Sequence, residues 1–265
     1  MKIILSRKGF DTGKKTGGIP SPIMPDGTLL SLPIQSDYDN LRFDELMWQG
    51  MTYLDILSQL KHNRTWTTCH LDPDIRPDVR AFEIEGWKPA FGQIGSAQGV
   101  LRNSDISEND LFLFFGLFQQ TEWVHHNRLE YQKGTLPKQI IFGYLQVKEI
   151  LTDPLEIKRY HWHPHACESR LLDSTNALYI PNDFLTFEPS QPGYGVLNMR
   201  PDRVLTMPGK TPATWIPKSF YGSEAIFGNR KNSAEGDGLY YAGQWQELVL
   251  RESEEASNWA KSIIH

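Results

Sequence analysis

The sequence predicts an α+β fold, β-rich, with flanking helices and one integrated domain over residues 1–265. Three observations carry that expectation. Asp110–Phe118 and Gln139–Leu151 are long apolar runs with strand patterning. Eight tryptophans and 17 prolines punctuate the chain, as in β-rich proteins with ordered loops. Helical spacing is confined to a few stretches, and no linker, repeat or low-complexity run divides the sequence.

The elements follow in chain order. Lys2–Leu5 reads as a strand that runs directly into Ser6-Arg7-Lys8-Gly9-Phe10-Asp11. Pro25-Asp26-Gly27 is a turn, since proline presets φ and glycine accepts a left-handed backbone. Ile19–Met24 and Thr28–Ile34 are then the arms of a hairpin. From Asp39 to Leu60 the spacing of Leu41, Leu46, Met47, Met51, Leu54, Leu57 and Leu60 favours an amphipathic helix in two pieces, broken near Gly50. Cys69–Asp74 is a proline-interrupted loop, and Phe91–Leu101 begins glycine-rich and opens a short helix. Asp110–Phe118 is a buried strand and Gln139–Leu151 a second one. Between them, Gln119–Lys138 is polar, carries Trp123 and His125-His126, and is expected to be a decorated loop or lid. Tyr160–Ala166 alternates in the strand sense, Leu178–Pro181 is a short strand, Phe187–Gly238 is loop-rich, and Ser253–Ile264 is a terminal helix.

Bulk numbers narrow the function. The 265 residues suffice for a sizeable core, and 39% apolar with 22% charged residues is ordinary for a soluble globular chain. A net charge of −5 argues against a surface-wide nucleic-acid cradle and leaves room for a local basic pocket. Two cysteines are too few for a disulfide framework. No run approaches the roughly 20 apolar residues of a membrane span, and the start is too short for a secretory core. A cytoplasmic location without membrane contact is expected.

Four stretches carry candidate chemistry. Arg7 and Lys8 follow a strand, with Gly9 letting backbone approach a ligand and Lys14, Lys15, Gly13, Gly17 and Gly18 nearby. This is either a phosphate or nucleotide site or a solvated basic loop; it matches neither a Walker loop nor a dinucleotide fingerprint. Gly92, Gly95 and Gly99 either expose backbone N–H groups to an anion or form a tight packing turn. His70, Asp72 and Asp74 would face one way in extended chain, fit to hold a divalent cation or to act as a general base; capping aspartates are the plainer account. His161, His163 and His165 would line up on one strand face as metal ligands, although Pro164 distorts such a strand. Two of these histidines with Asp72 or Cys69 make a more comfortable metal set.

These residues resemble a known family, the nucleotide-modification-associated domain of the third class, found in bacteria and their phages. The resemblance rests on Ser6–Asp11, Gly18-Ile19-Pro20-Ser21-Pro22, Pro25-Asp26-Gly27-Thr28 and His70–Asp74. It continues through Phe91-Gly92-Gln93, Gly95–Gly99, Asp110–Gly116, His163-Pro164-His165 and Asn176-Ala177-Leu178-Tyr179. One departure is Val100, where a histidine is expected after Gly99. The resemblance implies association with systems that modify DNA bases. The paired apolar strands are also similar to the barrel domains related to pseudouridine-synthase accessory folds, which implies a PUA-like barrel core at about residues 110–180.

Two functions are therefore weighed. The first is an enzyme acting on a nucleotide or on a base in nucleic acid, a transferase or hydrolase. It would use Asp72, Asp11, His163 and His165 in catalysis. Ser6, Arg7, Lys8, Gly9, Phe10, His70, Asp74, Gln93 and Gln98 would contact substrate, and a divalent metal would sit on the histidine row. Phe10, Trp123 or Trp162 would stack the base. The second is a non-catalytic reader of modified bases through the barrel. A subunit of a larger modification or defence complex is a third reading, and partner proteins of such a system are expected in either case.

Overall fold

Leu111–Phe118 is apolar at nearly every position because the strand that contains it is covered on both faces. Leu111, Leu113 and Phe115 join a cluster with Ile3, Leu5, Ala260 and Ile263, while Phe112, Phe114 and Phe118 join another with Ile4, Phe91 and Tyr179. Fully burying such a side chain is worth about 1.5–3 kcal/mol, so this strand is the main apolar store of the fold.

The protein is described by a computed structural model over residues 1–14, 16–60, 66–125, 128–222, 226–227, 234–235, 238–241 and 245–265. Lys15 of the opening loop, His126, and parts of the loop-rich 187–238 stretch lie outside these residues. One nine-stranded sheet dominates. Its strands are β1 (Ile3–Arg7), β2 (Ser21–Ile23), β3 (Phe91–Gln93), β4 (Leu111–Val124), β5 (Arg128–Tyr131), β6 (Lys138–Leu151), β7 (Ala177–Pro181), β8 (Tyr194–Val196) and β9 (Glu247–Leu250). The path runs β9–β1–β4–β6–β7–β3, with β2 and β5 on the far part of β4 and β8 on β6. β1 lies parallel to β4 and antiparallel to β9; β4 and β6 are antiparallel, with a register shift between Ile141 and Gly143.

The helices are α1 (Tyr53–Gln59), α2 (Gly95–Asn103), the single turns α3 (Pro154–Ile157) and α4 (Glu168–Leu171), and α5 (Glu254–Ile264). Ser253 caps α5 by accepting from Ala256 N at 3.1 Å, and Ala256, Ala260, Ile263 and Ile264 pack on the sheet. Among the described residues no helix is long and apolar enough to cross a membrane.

The α+β class stands, but four local expectations change. The helix expected over Asp39–Leu60 survives only as α1. Its first half is a 3₁₀ turn at Phe43–Glu45 and a two-residue hairpin, turned by Gln49 and Gly50 at φ 45° and 84°. Its apolar residues fill a side cluster with Phe10, Tyr53 and Trp66 rather than one helix face. The expected loop at Gln119–Lys138 is mostly strand: β4 runs on to Val124 and folds back through β5. Tyr160–Ala166 is not a strand, because Pro164 opens a 3₁₀ turn over Pro164–Ala166. The PUA-like barrel core at about 110–180 is not found as such. β1 and β9 come from the chain's two ends, and among the described residues no ladder closes β9 onto β3. The sheet nevertheless curls, since Gln93 at the end of β3 donates to Glu247 at the start of β9 at 2.6 Å.

Candidate functional site

Where those outer strands approach, the sheet's end opens into a cleft of about 600 Å³. Arg7, Lys8, Thr12, His70, Asp72, Gln93, Val100, His165, Arg170 and Gln246 help line it. β1 delivers the cations. Lys8 N donates to Phe115 O at 2.8 Å, which fixes where β1 stops, and Gly9 turns the chain at φ 120°, a conformation that favours glycine. Lys8 Nζ then sits 3.4 Å from Glu247 Oε1 and 4.3 Å above the Phe91 ring. Glu247 is fully buried and also accepts from Ser6 Oγ at 3.0 Å. Arg7 donates to Asp11 at 2.5 Å; burial pushes the Asp11 carboxyl up, against the pull of Arg7.

The other wall comes from His70-Leu71-Asp72 and the 3₁₀ turn that carries His163 and His165. Asp72 Oδ1 accepts from Gly92 N at 2.8 Å and lies 3.3 Å from His163 Nε2. His163 Nδ1 accepts from His165 N at 3.2 Å, so its proton belongs on Nε2, facing Asp72. His165 Nδ1 lies 2.6 Å from Asn176 Oδ1, and Asn176 Nδ2 donates to His165 O at 3.0 Å. That second bond fixes the amide, so the His165 proton sits on Nδ1 and Nε2 keeps its lone pair. His70 is held alike: Nδ1 lies 3.1 Å from Asp39 Oδ2. Arg170 grips Asp39 with both terminal nitrogens, at 2.6 and 3.0 Å, and Ser36 Oγ adds a bond at 2.6 Å.

The electrostatics follow from these contacts. Burial opposes ionisation of Asp72, but the His163 bond and the charge of Lys8 outweigh it and hold the carboxyl well below the usual range. Burial pushes the His165 imidazole down to about 3, leaving it neutral at physiological pH. Asp39 is also held well below the usual range, its burial outweighed by His70 and Arg170. Gly92 makes room for the ring: a Cβ there would fall 2.2 Å from His165 Cδ2.

Arg7, Lys8, His70, Asp72, Gln93 and His165 thus share one cleft, with His163 directly behind Asp72. Ser6 and Asp11 stand just beneath it, bonded to Glu247 and Arg7. Other expectations are corrected. Asp74 is turned away and bound by Arg80 at 3.1 and 2.6 Å. Gln98 is spent on the Tyr179 hydroxyl at 3.0 Å. Gly9 borders a neighbouring small cavity. Phe10 is buried edge-on against Trp66, and neither it, Trp123 nor Trp162 lines the cleft, so none stands where it would stack a base there. The metal row fails as a row because its segment is a turn: His161 lines separate cavities beside Trp162, and His163 is committed to Asp72. His70, Asp72 and His165 instead bring one donor atom each within 4.8 Å of the others. Cys69 is no substitute, since it is buried and burial pushes its thiol up.

Asp39, Arg170, Asn176 and Glu247 are essential to this geometry, and the sequence offered no local motif for them; only Asn176 lay inside a stretch already singled out. Val100, where a histidine was expected, lines the cleft on α2. The class is therefore an α+β protein with a polar, imidazole- and carboxylate-lined cleft at the end of a curled sheet. The family model for nucleotide modification associated domain 3 matches residues 2–251, and the chain belongs to that family. It is thereby associated with nucleotide modification. No curated protein and no solved structure matches it.

Proposed function

We propose that this protein is an enzyme that modifies a nucleotide or a base in nucleic acid. The observation that carries the reading is one cleft where Arg7, Lys8 and Arg170 stand beside His70, Asp72 and His165. Anion-holding groups on one wall and electron-pair donors on the other suit a substrate with a phosphate at one end and a reacting centre at the other. Arg7 and Lys8 take the phosphate; Asp72 holds a hydroxyl or a cation, because its carboxylate stays ionised and is a weak base. His163 is a positioning residue that orients Asp72.

The reader alternative is less well supported. Recognition of an unstacked base usually uses aromatic faces, at about 1–3 kcal/mol per base, and among the described residues no Phe, Tyr or Trp ring lines this cleft, only the imidazoles of His70 and His165. A cytoplasmic site of action, nucleic acid or free nucleotide as partner, and proteins of a modification or defence system as further partners belong to the same proposal.

The test is incubation of purified protein with nucleotide pools and with DNA, followed by mass spectrometry of the nucleosides. Asp72→Asn is expected to abolish any change while nucleotide binding persists. Arg7→Ala with Lys8→Ala is expected to weaken binding and flatten its salt dependence. A protein that binds neither nucleotide nor DNA would overturn the proposal.

A further inference from the structure

We infer that His70, Asp72 and His165 hold one divalent first-row transition ion at the floor of the cleft. Their donor atoms lie within 4.8 Å of one another, close enough for a shared ion. Both imidazoles have Nδ1 committed, to Asp39 and to Asn176, so the donor each has left is Nε2. This is how metal-binding histidines are usually set: a carboxylate or amide oxygen fixes the tautomer and turns the other nitrogen outward. Asp72 is set likewise, with Gly92 N bonded to Oδ1, His163 Nε2 3.3 Å from the same oxygen, and no protein partner on Oδ2 among the described residues.

Charge points the same way. Among the described residues each cation of the cleft stands against a carboxylate other than Asp72: Arg7 against Asp11, Lys8 against Glu247, Arg170 against Asp39. Among the described residues Asp72 has no lysine or arginine within ion-pair distance, although its side chain is only 4% exposed. A buried carboxylate facing two imidazole lone pairs leaves three electron-pair donors around one point, an arrangement a bound cation relieves.

The donors also select the ion. Two imidazoles and one carboxylate suit zinc, iron(II), cobalt(II) or manganese(II) better than magnesium or calcium, which prefer all-oxygen shells. Three protein ligands leave positions open, as catalytic rather than structural sites do. Those positions take a phosphate or hydroxyl oxygen, a part that rests on the function proposed above.

The experiment is titration of the chelator-stripped full chain with Co²⁺, read by its visible d–d absorption, and then with Zn²⁺ as competitor. One equivalent of Co²⁺ is expected, displaced by Zn²⁺ and not by Mg²⁺. His70→Ala and His165→Ala should lose stoichiometric binding, as should the shape-conserving Asp72→Asn, which decides if the alanine variants fail to fold. Asn176→Ala should weaken binding about 10–100-fold. His161→Ala, which removes the same type of donor elsewhere, should leave it unchanged. A folded wild-type chain that takes up no Co²⁺, or equal uptake by the folded His165→Ala variant, overturns the site. Nucleoside monophosphates are titrated in parallel with and without Co²⁺. Co²⁺ uptake without nucleotide binding upholds the metal and removes the nucleotide reading; nucleotide binding without Co²⁺ uptake does the reverse.

Discussion

Asp72 and Asp74 flank Pro73, and both lean on the strand Phe91–Gln93 or its edge, yet they do opposite things. Asp74 is fully buried and meets a guanidinium: Arg80 binds both its oxygens and Trp87 Nε1 adds a bond at 3.3 Å. Asp72 is nearly as buried but accepts from Gly92 N, lies 3.3 Å from His163 Nε2 and, among the described residues, has no lysine or arginine within ion-pair distance; Lys8 favours its charge only from farther off. The first carboxylate is cancelled where it stands. The second keeps its charge and points it at a cleft. Burial of an acid is thus no functional signal by itself; the charge of its partners separates a structural pair from a site.

The largest effect that this contrast predicts is at Asp74. Asp74→Asn strands a guanidinium whose side chain is only 3% exposed, and loss of one partner of a buried pair costs about 3–5 kcal/mol. Replacing both residues with apolar ones, Asp74→Leu with Arg80→Met, should recover most of that in urea denaturation. An Asp74→Asn variant as stable as the parent would break the comparison at its structural end. Next comes Gly92→Ala. The new Cβ lies 2.2 Å from a buried imidazole, so His165 must move, at about 1–3 kcal/mol for overpacking. Histidine side-chain NMR should show His165 displaced and the Asn176 bond lost.

The third effect is smaller in stability and large in function. Asp72→Asn keeps an oxygen for Gly92 N–H but gives up the carboxylate that His163 and Lys8 favour, so it should cost about 1–3 kcal/mol, less than Asp74→Asn. Turnover should vanish. A loss as large as that of Asp74→Asn would mean that Asp72 is structural too.

How much of this was legible beforehand depended on range. The strand cores of β4 and β6 were readable because a sheet buried on both faces writes an unbroken apolar run. The loop 69–74 and the imidazole stretch were visible as chemistry because the residue types are local. Their grouping was not. His161, His163 and His165 alternate as a strand would, but Pro164 turned the segment into 3₁₀; only His165 joins the donor set, and the other two donors, His70 and Asp72, lie more than 90 residues away. Asp39, Arg170 and Glu247 act through contacts 131 and 154 residues apart, which no periodicity encodes. The Asp39–Leu60 misreading has the same root: its apolar spacing served packing on Phe10 and Trp66, and tertiary burial overrode helical period.

The smallest predicted effect uses a third aspartate to ask whether burial or donor type matters more. Asp26 is held by neutral donors: it accepts from Thr28 N at 2.9 Å and from Gln49 Nε2 at 3.1 Å. Slight burial opposes its ionisation, but the Thr28 and Gln49 bonds outweigh it and lower its pKa from the ordinary value. A lowered folded pKa means that the contribution is present above the unfolded value near 4 and fades as pH falls through the folded one. Because Asp26 is exposed, water competes for every bond, so Asp26→Ala should cost less than about 1 kcal/mol at pH 7, and progressively less as the pH falls below the unfolded value. If instead the cost matches that of Asp74→Asn, neutral donors alone would be enough to make an aspartate critical. The distinction between Asp72 and Asp74 would then rest on geometry and not on charge.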